Sequence, residues 1–380
     1  MSQSNGSTQS PAERVDVFTI GIEEEFLLID PESRELTPQA QRILADAGPD
    51  NDNQVEAELQ LSQVETGTTP CDELDEVRAE VLRLRKELAS AAQASGKFIG
   101  ASGTHPFSDW RTSEITPKGS YLKLEADYQQ VAREQIVCGC HIHVGISDDE
   151  AAIQVMNRVR PWLSPIRALS VNSPFWLGYD TGYCSYRTEL WQRWPIAGTP
   201  HHFGSRKEYD ALVETLLATG GIDDPARIYW DVRPSAKYDT LEFRMTDVCL
   251  TVDETVMVAG LVRALARTCY RDLLEGTTQD RPRPELLRAA TWRAARYGVD
   301  RDLIDVVQGE SVPAAQMIDR LLEFLEPSLE DYGEKSLISE LVQSTMSEGT
   351  GATRQRAALS KAGRIQDVVD LIVDETTNWS

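Results

Sequence analysis

The sequence predicts an α+β fold, a largely antiparallel sheet backed by helices and followed by a helical C-terminal part. Three observations carry the prediction. Several segments in the first 250 residues alternate apolar and polar side chains with a period of two. One long segment among them repeats apolar residues at spacings of three and four. From Asp253 onward the chain reads as almost wholly helical.

Taken in order, the first 14 residues, MSQSNGSTQSPAER, are polar and lack an apolar run, so a disordered leader is expected and not a signal peptide. Phe18 to Asp30 is β-branched, apolar and bounded by Pro31, which predicts a strand. Val55 to Leu61 predicts another, with Val55, Ala57, Leu59 and Leu61 on one face and Glu56, Glu58 and Gln60 on the other. A long helix follows, with Asp72 as N-cap just after Pro70 and Leu74, Val77, Val81, Leu84, Leu88 and Ala92 along one stripe. Gly96 ends it, and KFIGASGT starts a further strand. Ile136 to Ile146 is the next strand, and a helix-rich stretch with Trp162, Pro165 and Trp176 comes after it. Ile228 to Val232 and Thr240 to Thr246 read as the arms of a hairpin joined through Pro234 and Ser235.

Composition narrows the function. The 380 residues carry 38 Lys+Arg against 61 Asp+Glu, a net charge of −23. This argues against nucleic acid, which needs basic stripes to displace counterions, and against a polybasic membrane contact. The 30 arginines and 8 lysines give a carboxylate-rich, lysine-poor surface that stays soluble at high salt. No run of 18 apolar residues is present to span a membrane. The six scattered cysteines read as reduced thiols of a cytoplasmic protein.

Four strands gather ionisable groups. In GIEEEF, the period of two sets Glu23 and Glu25 on one face, with Ile22, Glu24 and Phe26 on the other. Two like charges so placed persist on a buried strand with a cation between them; a solvated edge strand is the alternative. Glu58 and Glu65 lie seven positions apart, so a bend near Ser62 is needed to bring both to one site. In CGCHIHVGI, His141 and His143 share a face, while Cys138 and Cys140 have the opposite parity, which disfavours one zinc ion held by all four. In TLEFRMTD, Glu242, Arg244 and Thr246 form the polar face, to which Asp231 and Arg233 on the preceding arm add. A cross-strand ladder of ion pairs is the alternative there. Oxygen-rich ligands with an imidazole suit Mg²⁺ or Mn²⁺ better than Zn²⁺, and hard cations beside arginines equip a site for nucleotide phosphates. The chain has no Walker A sequence and no GxGxxG leading into a helix, so ATP would be held through metals and arginines.

The motifs GIEEEFLL, Glu58 with Glu65, GCHIHVGI, LEFRMTD, WRAARYG (Trp292 to Gly298) and GATRQR (Gly351 to Arg356) stand in the order seen in a known family. Over roughly residues 15 to 375 the chain resembles the carboxylate–amine ligases of the glutamate–cysteine ligase type 2 group. The resemblance implies a catalytic domain like that of glutamine synthetase, spanning residues 15–380, with a curved antiparallel sheet as its floor. It implies Glu23, Glu25, Glu58, Glu65, His141 and Glu242 as the metal-binding set, Arg244 as a catalytic, phosphate-contacting residue and Arg187 as a second contact to substrate or phosphate. It makes the C-terminal helices and the Arg354/Arg356 segment closing elements. The implied reaction is ATP-dependent, with Mg²⁺ (or Mn²⁺), and joins L-glutamate to L-cysteine through a γ-glutamyl phosphate. Salt-adapted archaea use γ-glutamylcysteine as their main small thiol, which the composition of this chain favours. The alternatives are a ligase with another amine acceptor, a metal-dependent hydrolase built on the HxH pair, and a non-catalytic regulator. A homo-oligomer is compatible with any of them.

Overall fold

The computed structural model describes residues 18–47 and 54–379, so the leader expected over residues 1–14 lies outside the described residues. Its centre is a seven-stranded sheet. The strands are β1 (Ile20–Ile29), β2 (Val55–Ala57), β3 (Gln63–Gly67), β4 (Phe98–Gly100), β5 (Gly139–Gly145), β6 (Val232–Pro234) and β7 (Thr240–Asp247). They lie in the order β6-β7-β5-β1-β3-β2, with β4 also on β1, and every pairing is antiparallel. Leu27 pairs with Gln63 of β3 and with Gly100 of β4, so β4 takes over the edge of β1 that β5 leaves.

One face of the sheet is apolar. Ile20 and Ile22 of β1, Ile142 and Val144 of β5, and Leu241 and Phe243 of β7 are buried in a single core cluster. Two long helices cover that face: α1 (Leu74–Ala94) supplies Leu74, Val77 and Val81, and α4 (Val252–Leu274) supplies Val258, Leu261 and Leu265. Two shorter helices matter for the opposite face, α2 (Gly119–Tyr128) and α3 (Tyr186–Trp191).

The apolar stripe expected for α1 is buried in full. Its cap shifts by one residue: Glu73 is the N-cap in a reciprocal box with Glu76, and the Glu76 carboxylate also accepts the backbone N–H of Asp72 at 2.8 Å. Gly96 follows the helix in a left-handed conformation, φ 68°.

The strand expected over Val55 to Leu61 is corrected. β2 stops at Ala57, the chain turns through Glu58–Ser62 with Gln63 N–H bonded to Gln60 C=O at 2.9 Å, and it returns as β3. The alternation runs on past the strand because Leu59, in the turn, is buried against Leu124 and Trp194. The bend needed to unite Glu58 and Glu65 is therefore present.

The C-terminal third is helical as expected, interrupted by a small hairpin of Leu303–Asp305 and Glu310–Val312. Among the described residues no helix is long and apolar enough to cross a membrane.

Candidate active site

Register builds the site on the face opposite α1 and α4. Glu23 of β1 stands directly across from His141 of β5, Glu25 across from Glu65 of β3, and Glu242 of β7 across from His143. Directly opposed residues in a sheet share a face, so these six side chains converge. The Glu23 carboxylate lies between the two imidazoles, one oxygen 3.3 Å from His141 Nδ1 and the other 3.3 Å from His143 Nε2. Glu65 and Glu25 approach His141 at 4.0 and 3.9 Å.

Two groups of ligand atoms gather within 4.8 Å, Glu23 with Glu65 and His141, and Glu23 with His143 and Glu242. Of the residues expected to bind metal, Glu23, Glu65, His141 and Glu242 fall in these groups and Glu25 adjoins them. Glu58 stands apart beside Glu25, its carboxylate accepting the Tyr121 hydroxyl at 2.8 Å. His143 completes the second group. Its spacing of two from His141 is the signal that places it there.

Electrostatics describe a floor that lacks positive charge. Burial, then the neighbouring Glu58, pushes Glu25 up to about 8. Burial and the surrounding carboxylates hold Glu65 well above its ordinary value, and burial raises Glu58. Burial, reinforced by Arg244, lowers His141 to about 4 and keeps it neutral. For Glu23, burial is outweighed by hydrogen bonds from both imidazoles, which hold it well below the usual carboxylate range.

Nε2 of His141 is buried with no hydrogen-bond partner, while Nε2 of His143 faces Glu23. Acceptor oxygens and the free Nε2 of His141 around one small volume fit a hard divalent cation. The cysteines stay out of it: Cys140 lies in the apolar core, and Cys138 takes a hydrogen bond from Gln63 at 3.2 Å.

The arginines close the site on one side. Glu242 is gripped by Arg233 at 2.8 and 3.2 Å and is also paired with Arg244, so the ion-pair ladder considered for this strand exists alongside the metal group. A bulge in β7 between Phe243 and Thr246 sets the rest. The extra residue turns Thr246 to pair with Cys140, against the expected polar face, and brings Asp247 opposite Gly139.

Asp247 then accepts hydrogen bonds from Ser173, Ser185 and the Asn172 N–H, all at 2.7 Å, which fixes the segment leading into α3 and Arg187. Strand parity alone hides this residue. The guanidinium groups of Arg187 and Arg244 lie 5.3 and 5.4 Å from the centre of the Trp191 ring. Each keeps a buried Nε with no partner, which leaves a donor free for an anion. Gly139 makes room for this: a Cβ there would sit 2.2 Å from Arg187 Nη2.

The Arg354/Arg356 segment, expected to close over the site, is held in ion pairs. Arg354 joins Glu254 and Glu375, and Arg356 joins Asp180 at 2.8 Å and the Tyr183 carbonyl at 2.7 Å. Arg296, from the WRAARYG motif, reaches the neighbouring Gly182 carbonyl. Both motifs staple the C-terminal helices to the loop before α3.

Comparison with known proteins agrees with this architecture. A family model described as glutamate–cysteine ligase family 2 matches residues 19–371. The chain is 44% identical over 378 residues to a Frankia alni protein named "Putative glutamate--cysteine ligase 2-2", covering 96% of this chain and 98% of that one. It is 38% identical over 365 residues to a Rhodopirellula baltica protein named "Putative glutamate--cysteine ligase 2", covering 95% and 97%. The fold matches that of the glutamate–cysteine ligase of Francisella tularensis, solved in complex with AMP, at a TM-score of 0.70 and 13% identity, over 94% of this chain and 88% of that one. With the family match over residues 19–371 and the fold shared with a solved glutamate–cysteine ligase, the chain is a ligase that belongs to glutamate–cysteine ligase family 2.

Proposed function

We propose that the chain joins the γ-carboxylate of L-glutamate to the amine of L-cysteine, giving γ-glutamylcysteine, ADP and phosphate. The supporting observation is one floor where a carboxylate–imidazole cluster meets two underpartnered buried arginines beside Glu25. Glu23, Glu25, Glu65, His141, His143 and Glu242 would hold divalent cations, Mg²⁺ or Mn²⁺, with Glu58 next to them. Such cations supply charge neutralisation at phosphate oxygens.

The residues of the chain do the rest. Arg244 and Arg187 orient the γ-phosphoryl group and stabilise the charge that spreads over its oxygens as it passes to glutamate. Trp191 beneath them excludes water, which would otherwise hydrolyse the acyl phosphate. The cysteine amine then attacks the acyl carbon, its C–O bond to phosphate breaks, and the amine proton departs to solvent. Residues 15–380 act as one catalytic unit in this proposal, in a salt-adapted cytoplasm that the composition alone supports.

The test is ADP release by the purified protein with ATP, Mg²⁺, glutamate and cysteine in high salt, with the product weighed by mass spectrometry. γ-Glutamylcysteine is expected, and no product from aspartate, whose carboxylate falls one methylene short of the phosphoryl group; a misplacement of about 1 Å costs on the order of a hundredfold. Turnover of another pair in place of this one would overturn the substrate assignment. Hydrolysis without nucleotide would overturn the ligase reading in favour of metal-dependent hydrolysis.

A further inference from the structure

Beside the floor opens a cavity of about 450 Å³. Its inner end is formed by Glu25, Glu58 and Arg244, where the acyl phosphate would form. Its walls are aromatic: Tyr121, Trp191, Trp194 and Tyr229 all line it. The rings brace one another, Trp194 against Tyr229 at 4.9 Å and Trp191 against Tyr229 at 5.2 Å, so the wall is built before any ligand arrives. The Tyr121 hydroxyl is already committed to Glu58. At the mouth stand Lys118, 3.7 Å from Glu56, and Lys123, held between Asp127 and Asp223 at 2.8 Å each.

A cysteine side chain is one methylene and one thiol. Pockets that bury whole drug-sized ligands begin at roughly 300 Å³. The aromatic walls reward apolar area and flat rings, and a hydrophobic pocket gains about 10–200-fold for each methylene it covers. We propose that this cavity is the acceptor chamber and that it takes amino acids with side chains as large as that of phenylalanine. The inference rests on the reading of the chain as a glutamate-activating ligase. The chemistry is unchanged: the acceptor nitrogen forms the bond to the acyl carbon, phosphate leaves with the C–O electron pair, and the ammonium proton goes to solvent.

The test supplies the full chain with ATP, Mg²⁺ and glutamate, and with cysteine, α-aminobutyrate, leucine or phenylalanine as acceptor. Products are identified by mass. The expected result is γ-glutamylphenylalanine at a kcat/KM within about tenfold of that for cysteine, a window narrower than one methylene's discrimination. Product from cysteine with phenylalanine more than tenfold poorer overturns the chamber and leaves the ligase standing. No product from any acceptor overturns both. Leu124, which lines the cavity, gives a second reading: Leu124→Phe narrows it and should lower the phenylalanine-to-cysteine ratio of kcat/KM by on the order of tenfold. An unchanged ratio in a folded variant places the acceptor elsewhere. Should the variant not fold, competition of phenylalanine against cysteine in the wild-type protein decides the same point.

Discussion

Glu25 is pushed up to about 8 by burial and by Glu58, so at neutral pH without a cation it is mostly a neutral acid hydrogen-bonded to the Gly139 N–H at 2.6 Å. Glutamine is close in shape and copies that neutral state. Glu25→Gln is therefore expected to keep the unfolding midpoint of the wild type and lose ADP release; wild-type turnover would remove Glu25 from the reacting centre. Arg244 presents a planar fork, and lysine offers a single point charge. Arg244→Lys should lower kcat on the order of a hundredfold, with a smaller change in the KM for ATP, because the lost contact strengthens in the transition state. Equal changes in both would make Arg244 a binding residue. At this scale the sequence was readable wherever parity held, as for Glu23, Glu25, His141 and Glu242. It was unreadable at Asp247, because one inserted residue in β7 reverses the parity that a regular strand would impose.

At the scale of elements, β1 is held from both sides. Its middle carboxylate, Glu24, faces the helices and is forked by Arg85 of α1 at 2.6 and 2.9 Å. The same guanidinium bonds the Cys249 and Leu250 carbonyls that follow β7, and Thr255 of α4 adds a hydrogen bond to Glu24 at 2.7 Å. This buried knot ties β1, β7, α1 and α4 together directly beneath Glu23 and Glu25. Removing one partner of such a pair strands a charge, so Arg85→Met should cost about 3–5 kcal/mol in denaturant unfolding. The double variant Glu24→Met with Arg85→Met should recover most of that loss. A double variant as unstable as the single one would mean that the knot supplies stability and not merely avoids an unpaired charge. The long helix was legible from its stripe because periodicity over 21 residues is hard to imitate. The turn after β2 was not, since a buried loop leucine continues a strand's alternation without its hydrogen bonds.

Across the whole molecule the charge of −23 opposes compaction, and arginine carries most of the compensating pairs. Many of these link segments far apart in sequence, such as Arg34 with Asp370, Arg354 with Glu254, and Arg356 with Asp180. Salt screens the diffuse repulsion more strongly than it weakens these close, partly buried contacts. Thermal stability and turnover should both rise as potassium chloride is raised from dilute to molar. A maximum at low salt would show the composition to be a solubility device alone. Fold class and overall order were legible because they depend on patterning summed over long segments. The stapling role of GATRQR and WRAARYG was not, because it depends on which loop the C-terminal helices meet.

The crowding of Glu25, Glu58 and Glu65 has a thermochemical consequence. The Glu25 carboxyl, raised to about 8 by burial and by Glu58, carries a proton at neutral pH, and a cation seated beside it displaces that proton into the buffer. The heat measured on titrating Mg²⁺ into the protein at pH 7 should then depend on the buffer, with a slope against buffer ionisation enthalpy that counts about one proton released. The apparent affinity should climb as pH rises toward about 8, where Glu25 sheds its proton unaided, and level off above it. Identical heats in phosphate-free buffers of high and low ionisation enthalpy would mean that the floor is already ionised before any metal arrives.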